Sequence, residues 1–176
     1  MLDKLKADLD AIIERDPAAG HRLAAVFLYP SFHVMLAHRM AHPLWRVGLR
    51  FVPRFIMQVA RWFTGIEIHP AAQIGAGFFA DHGMGVVIGE TSIVGKNVTL
   101  YHDVTLGGVM PAVDSKAQKT IKRHPTIADD VIIGAGAQIL GPVTVGKSAR
   151  IGGNSVVTRD VGEGQTVVGI PAKAIK

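Results

Sequence analysis

The chain has 176 residues, enough for one domain or for one domain with a small helical appendage. At 48% hydrophobic and 19% charged it is too apolar to be disordered, and the absence of cysteine excludes disulfides, thiolate nucleophiles and Cys-ligated zinc or iron–sulfur clusters. The net charge of +5 is uneven, with nine Lys/Arg against five Asp/Glu over residues 1–65. Such a balance suits nucleic acid, a membrane surface or a small polyanionic ligand; with no zinc-finger or helix-turn-helix spacing, nucleic acid is the weakest of these, and charge alone does not choose among the rest. The charged start, Met1 to Lys6, is not of signal-peptide type. The most apolar segment, Phe51 to Phe63, is broken by Arg54 and Arg61 and is too short to span a bilayer. These features predict a soluble, cytoplasmic protein with no membrane partner.

In chain order, Leu2, Leu5, Leu9, Ile12 and Ile13 mark one face of a first helix. Asp16-Pro17 reads as the cap and first turn of a second helix. Tyr29-Pro30-Ser31 is a break, and a third helix is expected from Phe32 to His42 or Trp45, ended by Pro43 or Gly48. A last helix covers about Pro53 to Phe63, and the texture changes near Thr64-Gly65.

Beyond Gly65 aliphatic residues return at every sixth position. Ile68, Ile74, Ala80 and Val86 form one series; a slip of two residues starts a second at Ile88, Val94, Leu100 and Leu106. A third runs Ile127, Ile133, Ile139, Val145, Ile151 and Val157. All but Ala80 are Ile, Val or Leu. A period of six is neither helical nor a simple alternating strand. It fits a solenoid of triangular section, with one short strand per side and one coil per three hexads. The predicted organisation is therefore α+β: an α-helical domain over 1–64 and a parallel β-helix over 65–176. The repeat lapses between Gly108 and Pro125, a polar stretch holding Ala112, Asp114, Ser115, Lys116, Lys119, Thr120 and Lys122, which predicts a loop thrown out at one corner.

The histidines differ in promise. His38 and His42 share helical i, i+4 spacing, but no acidic third ligand lies nearby and no metal is expected there. His69-Pro70 reads as a corner. His82, within Asp81-His82-Gly83-Met84-Gly85, lies at the register slip, where side chains are freed from the wall. Glu67 precedes it at a spacing that brings the two to adjacent corners or adjacent coils, and a carboxylate beside an imidazole is what a general base needs. Arg123-His124 returns the chain from the loop, where an Arg fork and an imidazole suit a carboxylate-bearing substrate. His102 is an alternative base or an interface residue.

Taken together, the stretches Asp16-Pro17-Ala18-Ala19, His38-Arg39-Met40-Ala41-His42, Gly65-Ile66-Glu67-Ile68-His69-Pro70, Asp81-His82-Gly83-Met84-Gly85-Val86-Val87-Ile88-Gly89-Glu90-Thr91, Val104-Thr105-Leu106-Gly107-Gly108, Lys122-Arg123-His124-Pro125-Thr126-Ile127 and Val168-Gly169-Ile170-Pro171-Ala172 resemble the serine O-acetyltransferases of the hexapeptide-repeat acyltransferases. The resemblance runs through nearly the whole chain in order. It implies a left-handed parallel β-helix assembled as a trimer or a dimer of trimers, with sites between neighbouring subunits. It also implies acetyl transfer from acetyl-CoA to the hydroxyl of L-serine, on the way to cysteine. By position, His82 would be the general base and Glu67 its partner. Asp16, Asp81, Arg123 and His124 would hold serine, while Gly108, Ala135, Arg150 and Gly153 would line the acetyl-CoA groove. A sugar or another small acceptor in place of serine is the alternative reading.

Three departures bear on this. The partner carboxylate is Glu67 where many members carry Asp. The loop from Val109 to Lys122 is longer than usual, and the helical part is shorter than in members that pair two trimers. The segment after Ala172 lacks the long Ile-ended tail with which some members hold O-acetylserine sulfhydrylase, so no stable complex of that kind is expected.

Overall fold

The computed structural model describes residues 1–109, 113 and 115–175. Four helices come first: α1 (Leu2–Arg15), α2 (Arg22–Leu28), α3 (Pro30–Arg46) and α4 (Phe51–Thr64). Two expectations are corrected here. Asp16 stands at the C-terminal end of α1 rather than opening the next helix; α2 is capped by His21, whose Nδ1 accepts from the Ala24 N–H at 3.2 Å. Pro43 does not end α3, which runs on to Arg46. The Pro43 carbonyl accepts from the Val47 N–H, so the helix loses only the bond that Pro43 cannot donate.

Gly65, at φ 70°, closes α4 in the left-handed region and turns the chain into the prism. The prism is a left-handed parallel β-helix whose three sides are sheets. The first stacks β1 (Glu67–Ile68), β4 (Val87–Ile88), β7 (Thr105–Gly107), β10 (Gln138–Leu140) and β13 (Val156–Val157). The second stacks β2 (Gln73–Ile74), β5 (Ile93–Val94), β8 (Thr126–Ile127) and β11 (Thr144–Val145). The third stacks β3 (Phe79–Ala80), β6 (Thr99–Leu100), β9 (Ile132–Ile133), β12 (Arg150–Ile151) and β14 (Thr166–Val168). A final strand, β15 (Lys173–Ile175), joins the outer edge of β14 antiparallel.

Each short strand turns one aliphatic side chain inward, so Ile68, Ile88, Leu106, Ile139 and Val157 form one buried column and the other sides repeat it. The register slip is real. Glu67 pairs with Val87, whereas Val87 pairs with Thr105, so the first coil is two residues longer than the second. The excess is taken up in the corner that holds His82. The lapse in the repeat lies between β7 and β8 and includes a 3-10 turn, Ala117–Lys119; Ala112 and Asp114 lie outside the described residues.

Strand β3 is the uppermost strand of its sheet, and its backbone donors would be orphaned there. The helices satisfy them. The Asp8 carboxylate accepts from the Phe78 N–H at 3.0 Å, and the Ser31 hydroxyl accepts from the Ala80 N–H at 2.9 Å. Asp8 is itself buried in a fork with Arg39, whose guanidinium also donates to the Ile74 carbonyl. Phe79 turns outward and is buried with Ala11, Ile12 and Ala25 beneath α1 and α2. The helical half is thus fastened to the top of the prism by polar bonds as well as by apolar burial.

Candidate active site

The sequence-selected residues gather at the two ends of the first side of the prism. One end is the corner between the third and first sides. There His82 occupies a left-handed backbone position, φ 57°, which few residues other than Gly, Asn, Asp and His tolerate. The turn projects the imidazole outward, 79% exposed, with Nε2 3.9 Å from an Asp81 carboxylate oxygen. The ring of His102, one coil below, meets it edge-on at 6.4 Å between centroids. Asp16 lies within electrostatic reach of His82, at the end of α1. Its carboxylate accepts from the Tyr29 hydroxyl at 2.6 Å and from the Ala18 N–H at 2.8 Å, and these bonds hold its pKa below the usual carboxylate range. The same bond pushes the Tyr29 hydroxyl up to about 12.

This corner repeats down the helix. The His102 carbonyl accepts from the Gly136 N–H, and the Ala135 carbonyl accepts from the Asn154 N–H, so Ala135 and Gly153 fall on one line below His82. Arg150 is exposed on β12 of the third side. Gly108 is not part of this line; it follows β7 at the other end of the first side, next to Arg123.

The second end is the corner between the first and second sides, and it is wired more tightly. Arg123 donates to the Glu90 carboxylate at 2.5 Å and to the Gln118 carbonyl at 2.9 Å. The Thr91 hydroxyl oxygen accepts from the backbone N–H groups of Arg123 and His124, both at 3.0 Å, so its own hydrogen is given to His124 Nδ1 at 2.9 Å. The Thr91 N–H points at the same nitrogen, 3.2 Å away. With Nδ1 an acceptor, the proton of the neutral ring sits on Nε2. Burial, then the Arg123 charge, pushes the His124 pKa down to about 4. Gly89 makes room for this ring, because a Cβ at that position would overlap it.

Glu67 belongs with this second end. It forms an ion pair with Arg61 of α4 at 2.8 Å and shares a cleft of about 280 Å³ with Arg54 and His69. His69 is pushed down to about 4, chiefly by burial. Among the described residues Glu67 makes no hydrogen bond or ion pair with His82. Sequence reasoning gave no role to Tyr29, Arg61, Glu90 or Thr91, although Glu90-Thr91 closes one of the stretches that carry the family resemblance. Glu90-Thr91 also directly follows the periodic Ile88 and Gly89. Among the described residues no group of three His, Asp or Glu is placed to hold a metal ion, and no helix is long and apolar enough to cross a membrane.

The bacterial transferase hexapeptide (six repeats) family matches residues 124–159. The serine acetyltransferase of Bacillus pumilus is 51% identical over 171 residues, which cover 97% of this chain and 76% of that one. The chain belongs to the serine acetyltransferases. The Helicobacter pylori (strain J99) member is 48% identical over 175 residues, 99% of this chain and 98% of that protein. Among solved serine acetyltransferases, the soybean enzyme complexed with serine aligns with a TM-score of 0.91 at 42% identity, over 98% of this chain and 68% of that one. The Neisseria gonorrhoeae enzyme in complex with serine aligns with a TM-score of 0.88, also at 42% identity, over 96% and 66% of the two chains.

Proposed function

We propose that this serine acetyltransferase moves the acetyl group of acetyl-CoA to the hydroxyl of L-serine, with His82 as general base. The single observation that carries the reading is the His82 corner: an exposed imidazole on a rigid left-handed turn, flanked by the carboxylates of Asp81 and Asp16. A serine hydroxyl is a poor nucleophile near neutral pH, so its proton must leave as the oxygen attacks the thioester carbon. The imidazole takes that proton, the oxygen–carbon bond forms, the carbon–sulfur bond breaks, and the proton passes on to the thiolate of CoA. Asp16 and Asp81 receive the serine ammonium. Arg123 and the Nε2–H of His124 receive its carboxylate, and both are already locked in place by Glu90 and Thr91.

These two sets stand at opposite ends of one side of the prism. A complete site therefore forms between copies of the chain, with Glu67, Arg123 and His124 of one brought to His82 and Asp81 of the next. Exposed apolar side chains on α4, which packs on β1, support such an assembly: Phe51, Phe55, Trp62 and Phe63 are 78, 53, 69 and 85% exposed. A trimer is the assembly we assign. Acetyl-CoA would lie along the corner below His82, on Ala135 and Gly153, with Arg150 near its phosphates and Gly108 of the neighbouring copy closing the groove.

The test is release of free CoA thiol from acetyl-CoA in the presence of L-serine, sugars or amines. Release that depends on serine is expected. Release driven by a sugar or an amine but not by serine would move the acceptor, and no release with any of them would end the proposal.

A further inference from the structure

Helix α4 sends two arginines from one face onto the second end of the site. Arg54 and Arg61 are seven residues apart, two helical turns, and so share a face. Arg54 approaches His69 Nε2 at 3.3 Å, and Arg61 holds the Glu67 carboxylate at 2.8 Å. The reversal at Gly65 explains the second contact. By closing α4 and turning straight into β1, it lays the last turn of the helix over the first strand of the prism. Arg61 therefore reaches Glu67 across a tight turn and needs no long loop to position it.

Glu67 has one more rotatable bond than an aspartate, and its side chain is 45% exposed. Left free, such a side chain spends most of its time away from any single partner. Arg61 comes to 2.8 Å of Oε2, and the second oxygen of the carboxylate has lone pairs to offer a ring nitrogen. We propose that Arg61 is a positioning residue for the reaction: it anchors one oxygen of Glu67 so that the other orients the catalytic imidazole. The inference rests on the reading of Glu67 as the partner of His82. Arg61 acts through Glu67 and touches neither substrate nor the reacting atoms.

The experiment measures serine-dependent CoA release for the full chain and for Arg61→Gln, Arg61→Lys, Glu67→Gln and the double variant Arg61→Gln/Glu67→Gln. Both side chains are about half exposed, so the variants are expected to fold, and thermal unfolding checks this. Glu67→Gln should lose the most activity. Arg61→Gln should lose about fivefold in kcat, the upper end for an exposed ion pair, with KM for acetyl-CoA unchanged. Arg61→Lys should recover part of the loss, because an ammonium still reaches one carboxylate oxygen. The double variant should be no slower than Glu67→Gln alone, since the anchor has nothing left to hold. Wild-type kcat in Arg61→Gln beside an impaired Glu67→Gln would overturn the role of Arg61, and so would additive losses in the double variant. Wild-type kcat in Glu67→Gln would instead overturn the assignment of Glu67 itself.

Discussion

The two ends of the first side of the prism each present a histidine, and the two are built for opposite work. His82 rides on a left-handed turn with its ring in solvent, while His124 is 8% exposed, with Nδ1 held by Thr91 and only Nε2–H left to offer a ligand. An imidazole that must gain and lose a proton within a turnover needs an open ring and loose partners. One that must present a fixed N–H to a carboxylate needs burial and a bond that dictates its tautomer. The same residue type thus becomes a candidate base at one corner and a candidate anchor at the next, and environment alone makes the difference.

The sharpest way to break this comparison is His82→Ala. We expect kcat to fall by at least about a hundredfold, with thermal stability somewhat below wild type because alanine tolerates the left-handed turn at φ 57° less well than histidine. A variant with near wild-type turnover would remove His82 as the base. Next in size is Thr91→Val, which deletes the hydroxyl that fixes His124 Nδ1 and also holds the backbone of Arg123 and His124. About a tenfold loss in kcat/KM for serine is expected, and Thr91→Ser should restore most of it. Equal kinetics in Thr91→Val would mean that the tautomer of His124 is set by something else.

The buried rings give a pH effect whose sign is fixed. His38, His69 and His124 are pushed down to about 3, 4 and 4, each chiefly by burial, from an ordinary value of 6.5. Below pH 6.5 the unfolded chain binds protons on these rings that the folded chain refuses. Stability that is present above pH 6.5 is therefore lost as the pH falls toward 4. Thermal unfolding between pH 7.5 and 4.5 should show Tm dropping by roughly 5 °C or more, and a flat profile would contradict the burial of these rings. The smallest expected effect belongs to Tyr29→Phe. Without its 2.6 Å bond Asp16 loses one of two restraints, and KM for serine should rise about threefold with kcat little changed. A change in kcat alone would place Tyr29 elsewhere in the reaction.

The prism was legible because each coil enforces the same demand on every sixth residue. Ile88, Leu106 and Ile139 must fill one narrow column, and only branched aliphatics fit. The register slip could be read too, since an extra pair of residues breaks a strict period. The helices were less clear. Asp16 has the chemistry of a helix cap, yet its carboxylate is turned to Tyr29, and whether Pro43 ends a helix depends on the residues C-terminal to it. At the site, His82 and Arg123 announce themselves by residue type. The groups that hold them do not: Thr91, Tyr29 and Arg61 are ordinary residues until the fold brings them near, and His124 lies 33 positions from Thr91. Spacing of Glu67 and His82 within one chain was likewise silent about which end of a side each would face.

One feature of the third sheet bears on how copies of the chain avoid one another. A stack of parallel coils is an open invitation to continue, because its last strand offers unpaired backbone groups in the same register as the strand before. Here β15 reverses direction and occupies that edge, with Lys173 at its start. A second prism meeting this edge finds an antiparallel strand and a positive charge instead of the next coil's template. End-to-end filament growth is discouraged on this sheet, and the protein's capacity for self-association is left to its other surfaces.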